Sequence, residues 1–157
     1  QFVISSIGSA EDRAQVLTTL AALGRLAKQV VIAVRSVDDV CYQQVLGKVN
    51  ARKGGYLGIP DATEPGLIVT SAGTSRQKFQ KYYGEEEFRG VLREYFTDIR
   101  QAALEVRDSA LVMVCSKPRR MAWASLSKAL RFEFELSIDG EKMDRSARAI
   151  EVFSSLR

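Results

Sequence analysis

Two stretches of this sequence carry the residue types that handle phosphates and bases. Ser116-Lys117-Pro118-Arg119-Arg120 is the densest basic cluster, and Lys128 and Arg131 follow closely in sequence. A basic loop that leads from a strand into a helix N-terminus can hold phosphate through backbone N–H groups and side chains together. The second stretch, Thr74–Tyr83, interleaves the cations Arg76, Lys78 and Lys81 with the aromatics Phe79, Tyr82 and Tyr83. Cations contact the backbone of a nucleic acid, and aromatic faces stack on unpaired bases at about 1–3 kcal/mol per base. That pairing suits single-stranded RNA better than duplex DNA.

Other chemistries find little support. The chain has no histidine, which removes Ser-His-Asp and Cys-His catalysis and any His-containing zinc site. Two cysteines, Cys41 and Cys115, are too few for an all-cysteine metal site or a disulfide framework. Their apolar neighbours predict free, buried thiols and a reducing intracellular compartment: cytoplasm, nucleus or mitochondrial matrix. The small-residue turns Ser5–Ser9 and Ser71–Ser75 match no phosphate-loop pattern. Glu85-Glu86-Glu87 cannot converge on one ion, because consecutive helical residues diverge. They suit the positive end of a helix instead. The expectation is therefore no catalytic residues, no metal and no cofactor.

These residues need a scaffold, and 157 residues with 46% hydrophobic content can supply one. Net charge is +4. No apolar run approaches the roughly 18–20 residues that span a bilayer, so no membrane partner is expected. Phe2–Ile7 reads as a strand. Ser9 is a good N-cap for a helix whose Val16, Leu17, Leu20 and Leu23 fall at helical spacing. Gln29–Arg35 is a β-branched strand, and Val40–Val49 follows as a helix opened by Asp38 and Asp39. Tyr56–Ile59 is a short strand, and Pro60–Gly66 has the composition of a connector. Leu67–Thr70 is a strand and Ser71–Gly84 a loop or short helix. Phe88–Val106 forms an apolar helical face about five turns long. Ala110–Cys115 is a strand and Met121–Leu130 a helix. Arg131–Ile138 alternates as a half-buried strand, Asp139-Gly140 signals a hairpin, and Ala147–Phe153 alternates as the return, with a terminal helix as the alternative.

The pattern repeats. Val31–Leu46 and Val112–Ser127 align without gaps as strand, polar loop and helix, with Val40 meeting Met121 and Tyr42 meeting Trp123. This predicts an α/β chain, an α+β sandwich of two β-α-β-α units: 1–60, a connector at 61–66, and 67–157.

Such a unit, closed by a hairpin, resembles the Alba family. Leu17–Lys53 gives an Ala/Leu-rich helix, a strand ending in Val34-Arg35, and a second helix followed by basic Arg52-Lys53. Lys117-Pro118-Arg119-Arg120 falls where Alba proteins carry a basic loop, with Pro118 in place of its glycine. The translation-initiation-factor-3 C-terminal and YhbY-like folds share much of this order. The resemblance implies two units packed like the family's dimer, and Arg52 and Lys53 as further nucleic-acid contacts.

The expected function is a non-catalytic nucleic-acid-binding module, favouring single-stranded RNA over DNA and sitting with other protein subunits in a ribonucleoprotein. A protein–protein scaffold and, behind it, a nucleotide-binding enzyme are the alternatives.

Overall fold

The structure is a computed structural model that describes residues 4–47, 58–70, 77–102, 109–138, 141–144 and 146–155. It is an α+β fold. The described residues open with a 3₁₀ turn at Ile4–Ser6, within the stretch expected as a strand, of which Phe2 and Val3 lie outside the described residues. Helix α1 (Ala10–Leu23) starts at Ser9, whose Oγ accepts from the Asp12 N–H at 3.3 Å. Strand β1 (Val30–Ser36) leads to the short helix α2 (Val40–Val45), where Asp39 Oδ1 accepts from the Cys41 N–H at 2.8 Å. Then come β2 (Gly58–Pro60), β3 (Leu67–Thr70), β4 (Lys78–Tyr83), α3 (Glu85–Arg93), β5 (Phe96–Gln101) and β6 (Ala110–Pro118). Helix α4 (Trp123–Phe134), the β7 (Glu135–Ile138)–β8 (Glu141–Asp144) pair, and helix α5 (Ser146–Ser154) complete it.

Several expectations are corrected. The long helix from Phe88 breaks after Arg93, and Phe96–Gln101 pairs with β6 instead. Ser71–Gly84 ends in the strand β4. Arg131 lies in α4, and the strand there begins at Glu135. Ala147–Phe153 is helical, with Phe153 buried one turn beyond half-buried Ile150. The Asp139-Gly140 turn and Val49 lie outside the described residues.

Six strands form one sheet in the order β2-β3-β4-β1-β6-β5. Strand β1 runs antiparallel to β6, with Val31 opposite Val114 and Val34 opposite Leu111. It runs parallel to β4 over two residue pairs only, Arg35–Tyr82 and Ser36–Tyr83. Where β1 and β4 part, the 3₁₀ turn fills the gap. Buried Ser5 accepts from the Arg35 N–H at 2.9 Å, and its carbonyl accepts from the Gln80 amide at 3.4 Å.

This topology replaces the expected pair of units. Residues 61–66 close the β2–β3 hairpin, and strands from both stretches share one sheet. The aligned segments do each form a strand and a helix, yet those helices leave on opposite faces of the sheet. Tyr42 of α2 stacks on Tyr82 at 4.9 Å on one face. On the other, α1 and α3 cover the sheet, and α4 packs over α1.

The main core lies beneath α1 and α3. It joins Leu17 and Ala21, Phe88 and Leu92, and Ile32, Val34, Phe96, Leu111, Met113 and Cys115 from the strands. A second cluster joins Ala22 of α1 to Leu126 and Leu130 of α4 and Phe153 of α5. Both cysteines are free, Cys115 buried and Cys41 half-buried. Two glycines are sterically required. Gly66 sits at φ +84, and a Cβ there would lie 2.3 Å from the Tyr82 carbonyl oxygen. A Cβ on Gly8 would meet the Phe79 ring at 2.6 Å.

Phe88 is fully buried against Tyr83, with ring centroids 5.0 Å apart. Truncating a core phenylalanine removes transfer energy and leaves a cavity. Phe88→Ala is expected to lower stability by about 3–5 kcal/mol, read as a shift in urea midpoint with an unchanged slope.

Candidate functional site

The antiparallel pairing of β1 and β6 decides which connections meet. Strand β1 begins, and β6 ends, at the same end of the sheet. The link from α1 into β1 therefore arrives there with Arg25 and Lys28, both exposed. Helix α3 ends there with exposed Arg93, and β4 starts there with exposed Lys78. The stretch after β6 adds exposed Lys117, Arg119 and Arg120. Glu94 is the exposed carboxylate within the same connections. At the opposite end stand exposed Glu11, Asp38, Glu85, Glu86 and Glu87, of which Glu11 pairs with Lys128 and Glu85 and Glu86 with Arg89.

Backbone geometry aims the basic stretch. Lys117 has φ 54, in the left-handed region that costs a residue with a Cβ about 1–2 kcal/mol. Its carbonyl accepts from Thr97 Oγ1 at 3.1 Å. Pairing with β5 skips one step there, from Asp98–Ser116 to Phe96–Pro118. The chain then turns across the end of α3. The Arg119 N–H donates to the Tyr95 carbonyl at 2.7 Å, and Arg119 Nε donates to the Arg93 carbonyl at 2.7 Å. Arg119 thus satisfies a carbonyl at a helix C-terminus, where positive charge is favoured.

The aromatic half of the expected surface is corrected. Tyr82 and Tyr83 are each 3% exposed, and so is Lys81. Tyr82 lies under Tyr42, and Tyr83 packs on Phe88. A ring so covered offers no face to a base. Of that stretch, Lys78 stays exposed. Arg76, Arg52 and Lys53 lie outside the described residues.

Lys81 belongs to a different feature, a cleft of about 640 Å³ between α1 and α3. Ala10, Ala14 and Leu17 form one wall, and Val91 and Tyr95 the other. Lys81 and Tyr83 form the floor, and residues 63–65 of the hairpin loop close one end. Arg13 is also buried, 4% exposed. Its Nη1 donates to the carbonyls of Ile7 at 2.6 Å and Gly8 at 2.9 Å, and its Nη2 to Glu64 Oε1. Lys81 Nζ donates to the Pro65 carbonyl and to Glu87 Oε1 at 2.8 Å, and lies 3.5 Å from Glu64 Oε1. Two buried cations thus meet two carboxylates, which removes the severe cost of an unpaired buried charge.

Sequence reading passed over Arg13 and Glu64. The signal was a cation at position 13 in the stripe of Leu17 and Ala21, where an apolar residue fits. It also passed over Arg25, Lys28 and Arg93, which only the strand order brings beside Arg119.

Among the described residues, no three His, Cys, Asp or Glu side chains are grouped to hold a metal ion. No described helix is long and apolar enough to cross a membrane. No family model matches the chain, and neither a curated protein nor a solved structure matches it significantly.

Burial pushes the Tyr83 phenol up to about 12, against an ordinary value of 10.0. The folded state therefore keeps a proton that the unfolded chain releases first. Stability from this group is full below pH 10 and falls as pH rises toward 12. Urea midpoints measured from pH 9 to 11.5 are expected to fall more steeply for the native protein than for Tyr83→Phe.

Proposed function

We propose that the chain is a non-catalytic nucleic-acid-binding module that grips RNA or DNA by its phosphates with the basic end of the sheet. The observation that carries this reading is the gathering of exposed cations from several connections at one end, with Glu94 the one exposed carboxylate among those described connections. Lys117, Arg119 and Arg120 form its centre, and Arg25, Lys28, Arg93 and Lys78 extend it. Spread cations of this kind follow a polyanionic backbone without reading sequence. The burial of Tyr82 and Tyr83 removes the stacking that favoured single strands. Recognition then rests on phosphates, which single strands and duplexes both present.

A second reading rests on the open face of the sheet. Val31 is 63% exposed opposite Val114, beside half-buried Ala33 and Val112. An apolar face of this kind suits a protein partner within a larger assembly.

The test is titration of labelled single-stranded RNA, duplex RNA and duplex DNA at several salt concentrations. Replacing Lys117, Arg119 and Arg120 together by Ala is expected to weaken binding to every probe by at least tenfold. The slope of log K against log salt should become shallower by up to about 2–3, since each lost phosphate contact releases about 0.7–0.9 fewer counterions. Circular dichroism establishes that the variant is folded. A folded triple variant with unchanged affinity and slope overturns the nucleic-acid reading in favour of the protein partner.

A further inference from the structure

The cleft between α1 and α3 lies apart from the basic end, and its polar groups are arranged in an uncommon way. Arg13 and Lys81 are held in place without Glu64. The two carbonyls at Ile7 and Gly8 fix the guanidinium, and the Pro65 carbonyl and Glu87 fix the ammonium. Glu64 adds one carboxylate oxygen that serves both cations.

Of these three groups, that carboxylate is the one open to solvent. Its side chain is 27% exposed, whereas the two cations are almost wholly covered. The hairpin loop that carries it is shaped by other bonds. Asp61 Oδ1 accepts from the N–H groups of Thr63 at 2.7 Å and Glu64 at 3.0 Å, and from the Thr63 hydroxyl at 2.6 Å. The Leu67 N–H donates to the Glu64 carbonyl at 3.1 Å, and the Tyr82 N–H to the Gly66 carbonyl at 2.8 Å. Rotation about the Glu64 side chain would uncover both cations and leave the loop backbone where it is.

The rest of the cleft is apolar. Moving from the ion cluster along the two helices, Ala14 and Leu17 face Val91 and Tyr95. Small Ala10 and Ala14 leave room that larger residues would fill. The volume lies within the roughly 300–1,000 Å³ of small-molecule sites, which combine apolar walls with a few convergent polar groups.

We propose that this cleft binds a small amphipathic carboxylate, its head group on Arg13 and Lys81 in the place the Glu64 carboxylate holds and its chain along Ala14, Leu17, Val91 and Tyr95. Glu64 is then the resident competitor of the ligand. With Glu64 turned out, Arg13 and Lys81 against Glu87 leave one net positive charge, which a single carboxylate neutralises. The buried Tyr83 hydroxyl keeps its proton and is able to donate to the same head group.

Octanoate and acetate are the probes, titrated into the whole chain and followed by NMR shifts of Ala14, Leu17 and Val91. Octanoate is expected to bind the native protein saturably. Glu64→Gln keeps the side chain's size and removes the competing charge, so it should bind octanoate at least tenfold more tightly. Ala14→Trp fills the trough and should abolish binding in either background while circular dichroism stays native. Acetate, with no chain to bury, should bind at least tenfold more weakly than octanoate. The proposal is overturned by absence of saturable octanoate binding to Glu64→Gln, or by equal affinity of that variant and the native protein. Equal affinity for acetate, or binding that survives Ala14→Trp, overturns it as well. Nucleic-acid binding at the basic end is independent of each of these outcomes.

Discussion

Strands β1 and β4 share two residue pairs, and the rest of the fold hangs on that short parallel seam. It joins a three-stranded half, β2-β3-β4, to a second half, β1-β6-β5. A seam so short leaves strand edges with unpaired backbone groups, which are costly to bury. Ser5 answers this from outside the sheet, binding the Arg35 N–H with its hydroxyl and the Gln80 amide with its carbonyl. The 3₁₀ turn at Ile4–Ser6 is thus a wedge between the halves. Helix α1 then lies across the seam, with Leu17 and Ala21 in one core with Ile32 and Val34 of β1 and Tyr83 of β4.

The wedge also explains why charge is buried beside it. The chain leaves the 3₁₀ turn through Ile7 and Gly8, whose carbonyls face into the molecule. Arg13, one turn into α1, satisfies both. Its positive charge then requires an anion, and the hairpin loop between β2 and β3 brings Glu64. Lys81 enters because β4 must turn one residue of every two toward the core face. Phe79, Lys81 and Tyr83 share that side, and Lys81 finds Glu87 on the first turn of α3. The ion cluster thereby ties α1, the hairpin and α3 to the seam. Such a cluster contributes more to the fixing of relative positions than to net stability, since desolvation offsets most of the attraction.

Much of this was legible from residue patterns. Val30–Arg35 and Ala110–Cys115 announce themselves by β-branched and apolar content, and Ser9 marks the start of α1. Inward-facing Lys81 disguised β4, because a buried cation breaks the period-2 pattern by which strands are recognised. Tyr95, Phe96 and Ile99 continue the helical spacing of α3, so β5 was invisible until β6 offered it a partner. Thr97 and Asp98 weaken a helix there, and pairing across the sheet decides between two locally allowed conformations. The basic cluster at 117–120 was plain, whereas its neighbours Arg25, Lys28 and Arg93 come from distant stretches and meet only through strand order. The aromatics Tyr82 and Tyr83 misled for the converse reason. Composition places a ring near a cation, but only packing tells whether its face is open.

Among the described residues, the uneven spread of exposed charge between the two ends of the strands gives a polarity along the long elements. Bodies with unlike ends attract one another end to end. That geometry is heterologous, since each copy offers a different surface to the next, and such contacts close into a ring or run on as a row according to the rotation between copies. At low ionic strength such a contact would set the Glu85–Glu87 end of one copy against Lys117, Arg119 and Arg120 of the next, weakened by the cations Arg89 and Lys81 that already pair with those carboxylates. Added salt would weaken that contact, because exposed charges are screened within about 10 Å at 0.1 M. The same arrangement would therefore favour end-to-end contact between copies most at low ionic strength.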